Sequence, residues 1–126
     1  MIFEKFETGS LFFPDRTVCL GDIMWEEHPA FQGVALKHLL TSADSGGTFS
    51  YHLVRIAPGC EIGRHIHAAQ LETHEVIAGS GACICEGREL PYEPGVMAVL
   101  PAGMPHRVTA GADGLYLFAK FIPALC

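Results

Sequence analysis

Gly and Pro recur at short intervals from Phe49 to Ile122, and the segments between them are brief and rich in β-branched and aromatic residues. Pro58-Gly59, Gly79-Ser80-Gly81, Pro94-Gly95 and Pro101 to Pro105 each interrupt the chain. Gly reaches positive φ without steric cost and Pro withholds a ladder donor, so neither continues a helix. Many short strands with Gly/Pro turns predict an all-β sandwich or barrel. Phe49 to Ala57, Glu72 to Ala78, Ala82 to Cys85, Val96 to Leu100, His106 to Thr109 and Leu115 to Ile122 are the expected strands. Gly79 to Gly81 is expected to break two of them, and Gly111 to Gly114 to turn between two others. Glu86-Gly87-Arg88 predicts a tight hairpin. Ser42 to Gly47 predicts a turn, as does Pro91 to Gly95. Val34 to Thr41 is ambiguous between helix and strand by period alone.

The two faces of Phe49 to Ala57 each carry one polar head, Arg55 or His52, and alternation does not choose between them. On the last strand, Leu115, Leu117, Ala119 and Phe121 form a wholly apolar face and are expected in the core, with Lys120 opposite. Residues 1–33 have no clean period but hold Phe3, Phe6, Phe12, Phe13, Trp25 and Phe31. Aromatics this dense need burial. They predict an arm packing on the barrel or on a second subunit, with the barrel in residues 34–126. Glu26-Glu27-His28 before Pro29 is expected to be a solvated turn.

At 126 residues, 49% of them hydrophobic, the chain can bury one core and predicts one domain. A net charge of −6 disfavours nucleic acid, which needs clustered Lys and Arg, and a membrane surface likewise. No apolar run reaches the ~18 residues of a membrane span, and the N-terminus lacks a signal peptide's basic region. A cytoplasmic location is the expectation. The five cysteines show no CxxC spacing and are expected to be buried, reduced thiols.

The chemistry concentrates in Gly59 to Gly79, GCEIGRHIHAAQLETHEVIAG. His65 and His67 are two apart, so on a strand they share a face. Glu72 follows after four residues, and His106 arrives later behind Gly103 and Pro105. Imidazole and carboxylate are ligands of divalent transition metals. His74 is two beyond Glu72 and turns inward by the same alternation. It is a candidate general base, fifth ligand or partner to a ligand. Glu75 falls on the opposite face and is rejected. His28, His38 and His52 lack ligand spacing and are taken as structural. Arg64 and Arg107 should point away from the pocket.

Gly59, five residues, His65, one residue, His67, four residues, Glu72, six residues, Gly79 resembles the first motif of the cupin superfamily without a gap. Gly95, five residues, Pro101, one residue, Gly103, two residues, His106 resembles its second. The second motif often ends in Asn, where Ala110 stands; that position is not a family metal ligand. The short stretch between the motifs resembles small single-domain bacterial cupins. The resemblance implies a small antiparallel jelly-roll β-barrel, the double-stranded β-helix, and tips Val34 to Thr41 towards strand. It implies that His65, His67, Glu72 and His106 face the interior and bind one divalent transition metal per chain, among Mn, Fe, Co, Ni, Cu and Zn. It implies a homodimer. The function expected from it is a metal-dependent enzyme on a small molecule, of dioxygenase, isomerase or decarboxylase type, with O₂ among its candidate partners. The alternative is a non-catalytic small-molecule-binding or sensor cupin.

Overall fold

The computed structural model describes residues 1–126. The elements are α1 (Ile2–Thr8), β1 (Ser10–Phe12), β2 (Thr17–Cys19), a 3₁₀ turn (Leu20–Asp22), β3 (Glu26–Glu27), β4 (Val34–Leu40), α2 (Ser42–Ser45), β5 (Ser50–Ile56), β6 (Glu61–His65), β7 (Leu71–Cys85), β8 (Arg88–Tyr92), β9 (Met97–Leu100) and β10 (His106–Ile122). All pairings are antiparallel. The main sheet runs β3-β4-β5-β10-β7-β8, with β6 also on β10 and β9 also on β7. The ladder does not close on itself. The fold is a jelly-roll sandwich, its long strands bent over so that one face encloses an interior.

That bend corrects two sequence expectations. Gly79-Ser80-Gly81 does not break the chain, and Gly111 to Gly114 does not turn it. β7 and β10 each run through and stay paired from Leu71 to Cys85. The register shifts between Ala110 and Leu115, so the glycines sit in a bulge. A Cβ on Gly79 would lie 2.1 Å from the Gly114 carbonyl oxygen, and one on Gly81 would lie 2.0 Å from that of Thr109. The glycines there permit close backbone approach, a need that a residue count cannot tell from a turn.

Smaller corrections follow the same logic. Ser42 to Ser45 forms one helical turn, capped by Thr41 and Asp44 and ended by Gly46 at φ 65°. Glu26-Glu27 is an edge strand on β4 and not a turn. β8 extends through Tyr92, so the turn there narrows to residues 93–95. The Glu86-Gly87 hairpin forms as expected, with φ positive at both residues.

Two apolar clusters sandwich the sheet. The inner one gathers Val54 and Ile56 from β5, Val76 and Cys83 from β7, and Val108, Leu115, Leu117, Ala119 and Phe121 from β10. The outer one joins Leu39, Leu53, Ala78 and Phe118 to Phe3 and Leu20 of the N-terminal segment. Phe3 stacks 4.3 Å from Tyr116, and Phe6 meets Phe118 edge-on at 4.9 Å. Lys37 is buried in β4, where its Nζ donates to the carbonyls of Glu7 and Leu20, both at 2.8 Å. Residues of the segment before β4 thus cover the outer face of the sheet. Its last piece, β3, already lies in the sheet.

The cysteine expectation fails for most of the set. All five are free, but only Cys83 is buried; Cys60 and Cys85 are half-buried, and Cys19 and Cys126 are exposed. No helix is long and apolar enough to cross a membrane.

Candidate metal centre

His65 ends β6 and sits opposite His106, which begins β10. Strand pairing therefore sets two of the four candidate ligands face to face, with ring centroids 4.3 Å apart. His67 lies just past the end of β6, so the expected strand alternation does not reach it. Ile66 still points outward, half exposed, and His67 turns back inward. Glu72 enters from the start of β7. One donor atom from each of His65, His67, Glu72 and His106 lies within 4.8 Å of all the others. Donors at ~2.0–2.1 Å around one ion stand no more than about 4.2 Å apart, so the cluster is only slightly wider than a bound set.

The unused ring nitrogens are already committed. His65 Nδ1 donates to the Gly63 carbonyl at 2.7 Å, and His106 Nδ1 donates to that of Met104 at 3.1 Å. Each Nε2 is left with its lone pair directed inward, the tautomer a metal requires. Glu72 Oε1 lies 3.0 Å from His106 Nε2 and 3.7 Å from His67 Nε2. Yet Glu72 Oε1 and His106 Nε2 are buried without an aligned hydrogen bond. Such orphan atoms are rare in native interiors and are of a kind a cation satisfies. The donor set therefore fits a divalent transition metal.

Electrostatics favour the same occupant. Burial works against the Glu72 carboxylate, but His74 and His106 outweigh it and hold its pKa well below the usual range. Burial lowers the pKa of His65 and of His67, which keeps them neutral. His106 runs the other way: burial opposes its charge, but the adjacent Glu72 raises its pKa, so a proton competes with a metal at its Nε2.

His74 is inward and buried, as alternation predicts. Its Nε2 meets Glu72 Oε2 at 2.8 Å and its Nδ1 meets the Tyr92 hydroxyl at 2.7 Å. Tyr92 packs in the same inner apolar cluster as Cys83. Both ring nitrogens are thus engaged, and Glu72 Oε2 is anchored while Oε1 stays free. Glu75 lies outside, paired with Lys120 at 2.7 Å. Arg64 and Arg107 are exposed as expected. Together with His106 and Pro105 they line an open groove of about 420 Å³.

The structure also resolves the β5 alternative. His52 faces inward, and Arg55 lies outside with its guanidinium 4.3 Å over Trp25. His65, His67 and Glu72 line an inner cavity of about 80 Å³, walled otherwise by Leu36, Val54, Leu117, Phe121 and others. His28 lines it too, which spacing did not reveal. Its Nδ1 accepts N–H bonds from Ala30 and Phe31 at 3.0 and 3.3 Å, so its Nε2 carries the hydrogen. The turn that brings it there begins at His28-Pro29, a signal of a bend but not of its direction.

The fold is thus a jelly roll that gathers three imidazoles and a carboxylate, a set that could hold a metal ion, beside an inner apolar cavity. The chain belongs to the cupin family: the family model for the cupin domain matches residues 52–117. No curated protein matches it in sequence. Among solved structures, it is similar to a predicted oxalate decarboxylase from Thermotoga maritima, at 21% identity over 82% of this chain and 95% of that one, with a TM-score of 0.75. KdgF from Halomonas sp. matches at 19% identity over 90% and 94%, TM-score 0.72. Ectoine synthase from P. lautus matches at 25% identity over 75% and 67%, TM-score 0.67.

Proposed function

We propose that this cupin is a metal-dependent enzyme acting on a small, oxygen-bearing molecule. His65, His67, Glu72 and His106 hold one divalent transition ion per chain. The observation that carries this is the pair of buried atoms without an aligned hydrogen bond, Glu72 Oε1 and His106 Nε2, 3.0 Å apart. An ion held there by one carboxylate keeps net positive charge and supplies Lewis acidity to a bound oxygen.

The chain's own residues do the rest. His74 fixes Glu72 by holding Oε2, and Tyr92 fixes His74. The apolar walls exclude water, which strengthens every charge interaction inside. His28 Nε2–H offers a donor to a substrate oxygen at the cavity's edge. A volume of about 80 Å³ admits only a compact molecule. Decarboxylase or isomerase chemistry on a small acid is the favoured form, with dioxygenase chemistry beside it. The likeness to a predicted oxalate decarboxylase supports this only at the level of fold.

One observation favours the non-catalytic alternative, a small-molecule carrier or sensor. Both nitrogens of His74 are occupied, so the cavity has no free carboxylate or imidazole base beyond the proposed ligands and His28. The test is turnover by manganese- or iron-loaded protein across small acids, diketones and sugars, read by product NMR and oxygen uptake. Turnover lost in Glu72→Gln supports the enzyme; binding without turnover supports the carrier.

We also propose residues 1–33 as a cover for the outer sheet face, with the barrel in 34–126. The burial of Phe3 and Leu20 supports this. A homodimer is proposed through β9, whose outer edge is unpaired and whose Met97 and Val99 are exposed.

A further inference from the structure

A second cluster of ligand-type side chains lies apart from the first. His38 on β4 and His52 on β5 are cross-strand partners, and their Nδ1 atoms lie 2.7 Å apart. Cys126 Sγ is 3.7 Å from His38 Nδ1. One donor atom from each of the three falls within 4.8 Å of the others. The Phe121 ring stands between the two clusters, 5.5 Å from the His52 ring and 4.9 Å from that of His67.

The distal nitrogens of this pair are also held. His38 Nε2 meets Glu26 Oε2 at 2.9 Å, and His52 Nε2 meets Ser50 Oγ at 2.8 Å. Ser50 is fully buried, and its Oγ also accepts the Leu125 N–H at 2.8 Å. In the tautomer with Nε2–H donated outward from both rings, to Glu26 and to Ser50, both Nδ1 lone pairs point at one place together with the sulfur. A carboxylate behind a histidine is the recurring support for a metal-bound imidazole. An open groove of about 230 Å³ runs past Glu26 and His38 and gives an ion access.

We propose that His38 Nδ1, His52 Nδ1 and Cys126 Sγ form a second metal site, for a thiophilic ion such as Zn(II) or Cu(I). Two imidazoles and a thiolate match those ions better than the oxygen-preferring Mg or Ca. Three protein ligands leave one position open to water or a small ligand. Burial and Glu26 raise the Cys126 pKa, so the thiol proton departs to solvent as the Sγ–metal bond forms. Before the ion binds, His52 Nδ1–H donates to His38 Nδ1 and the Ser50 hydroxyl donates to His52 Nε2; on binding, that Nδ1 proton is replaced by one on His52 Nε2, and the Ser50 hydroxyl turns to accept it.

Co(II) titration of the reduced full chain tests this. Sulfur ligation gives a thiolate-to-cobalt charge-transfer band, which the central cluster of nitrogen and oxygen donors cannot produce. The band should appear, and Cys126→Ser should abolish it with the loss of one bound ion. Glu26→Gln should weaken that ion's binding by about tenfold to a hundredfold. Glu72→Gln should leave the band in place, which separates this site from the central one. Absence of the band, or a band that survives Cys126→Ser, overturns the proposal.

Discussion

Glu72 Oε1 and His106 Nε2 lie 3.0 Å apart in the interior, and neither makes an aligned hydrogen bond. Two polar atoms left this way cost stability that a cation between them would restore. Saturating the protein with Mn(II) or Co(II) at a hundredfold excess over its Kd should raise unfolding free energy by about 2.7 kcal/mol. Glu72→Gln should lower the affinity at least about tenfold and, at the same ion concentration, cut that increment to about 1.4 kcal/mol or less. Denaturant melts with and without ion or chelator read both effects.

Tyr92 reaches the site only through His74. Tyr92→Phe removes the hydroxyl 2.7 Å from His74 Nδ1 and leaves that buried nitrogen without a partner. A stability loss of about 1–3 kcal/mol is expected. If His74 positions Glu72, metal affinity should also fall by about tenfold to a hundredfold. A stability loss with affinity unchanged would make the pair structural only. Isothermal titration beside a urea melt distinguishes the two.

The candidate cluster was largely legible because its residues are local in sequence or framed by turn residues. The structure places one donor atom each of His65, His67, Glu72 and His106 within 4.8 Å of the others. The inner face of β10 was legible for a similar reason, since alternation along one strand is a local property. What escaped was non-local. Gly79 and Gly81 look like turn residues until Gly114 and Thr109 are placed beside them. His38 and His52 have no meaningful spacing in the chain, yet cross-strand register sets them opposite each other. His28 enters the cavity wall through a bend whose direction no pattern encodes.

The tight approach at the bulge makes its own prediction. Gly79→Ala and Gly81→Ala should each destabilise by about 2–4 kcal/mol, since the added Cβ meets backbone that cannot yield cheaply. Gly79 carries further strain because its φ is 78°. Gly87 also has positive φ but has open space around it. Gly87→Asn should therefore cost under about 1 kcal/mol, Asn tolerating that conformation. Thermal melts of the three variants check the ordering.

Cys83 is fully buried against Tyr92, and burial pushes its pKa up from 9.0 to about 11. The folded state keeps this proton when the unfolded chain has lost it. Stability is therefore intact below pH 9 and falls as pH rises from 9 towards 11, by up to about 3 kcal/mol. Cys83→Ala should reduce that alkaline slope. Maleimide should label exposed Cys19 and Cys126 at neutral pH and reach Cys83 only on unfolding. Denaturant melts at several pH values, with mass spectrometry of the labelled protein, measure both.

Anomalous diffraction from crystals grown with Mn(II) tests the central claim most directly. The account predicts one strong peak in the interior, within coordination distance of His65, His67 and His106 nitrogens and a Glu72 oxygen, and no such peak in Glu72→Gln crystals. An interior without anomalous density at saturating Mn(II), its four side chains turned away from a common point, would contradict it.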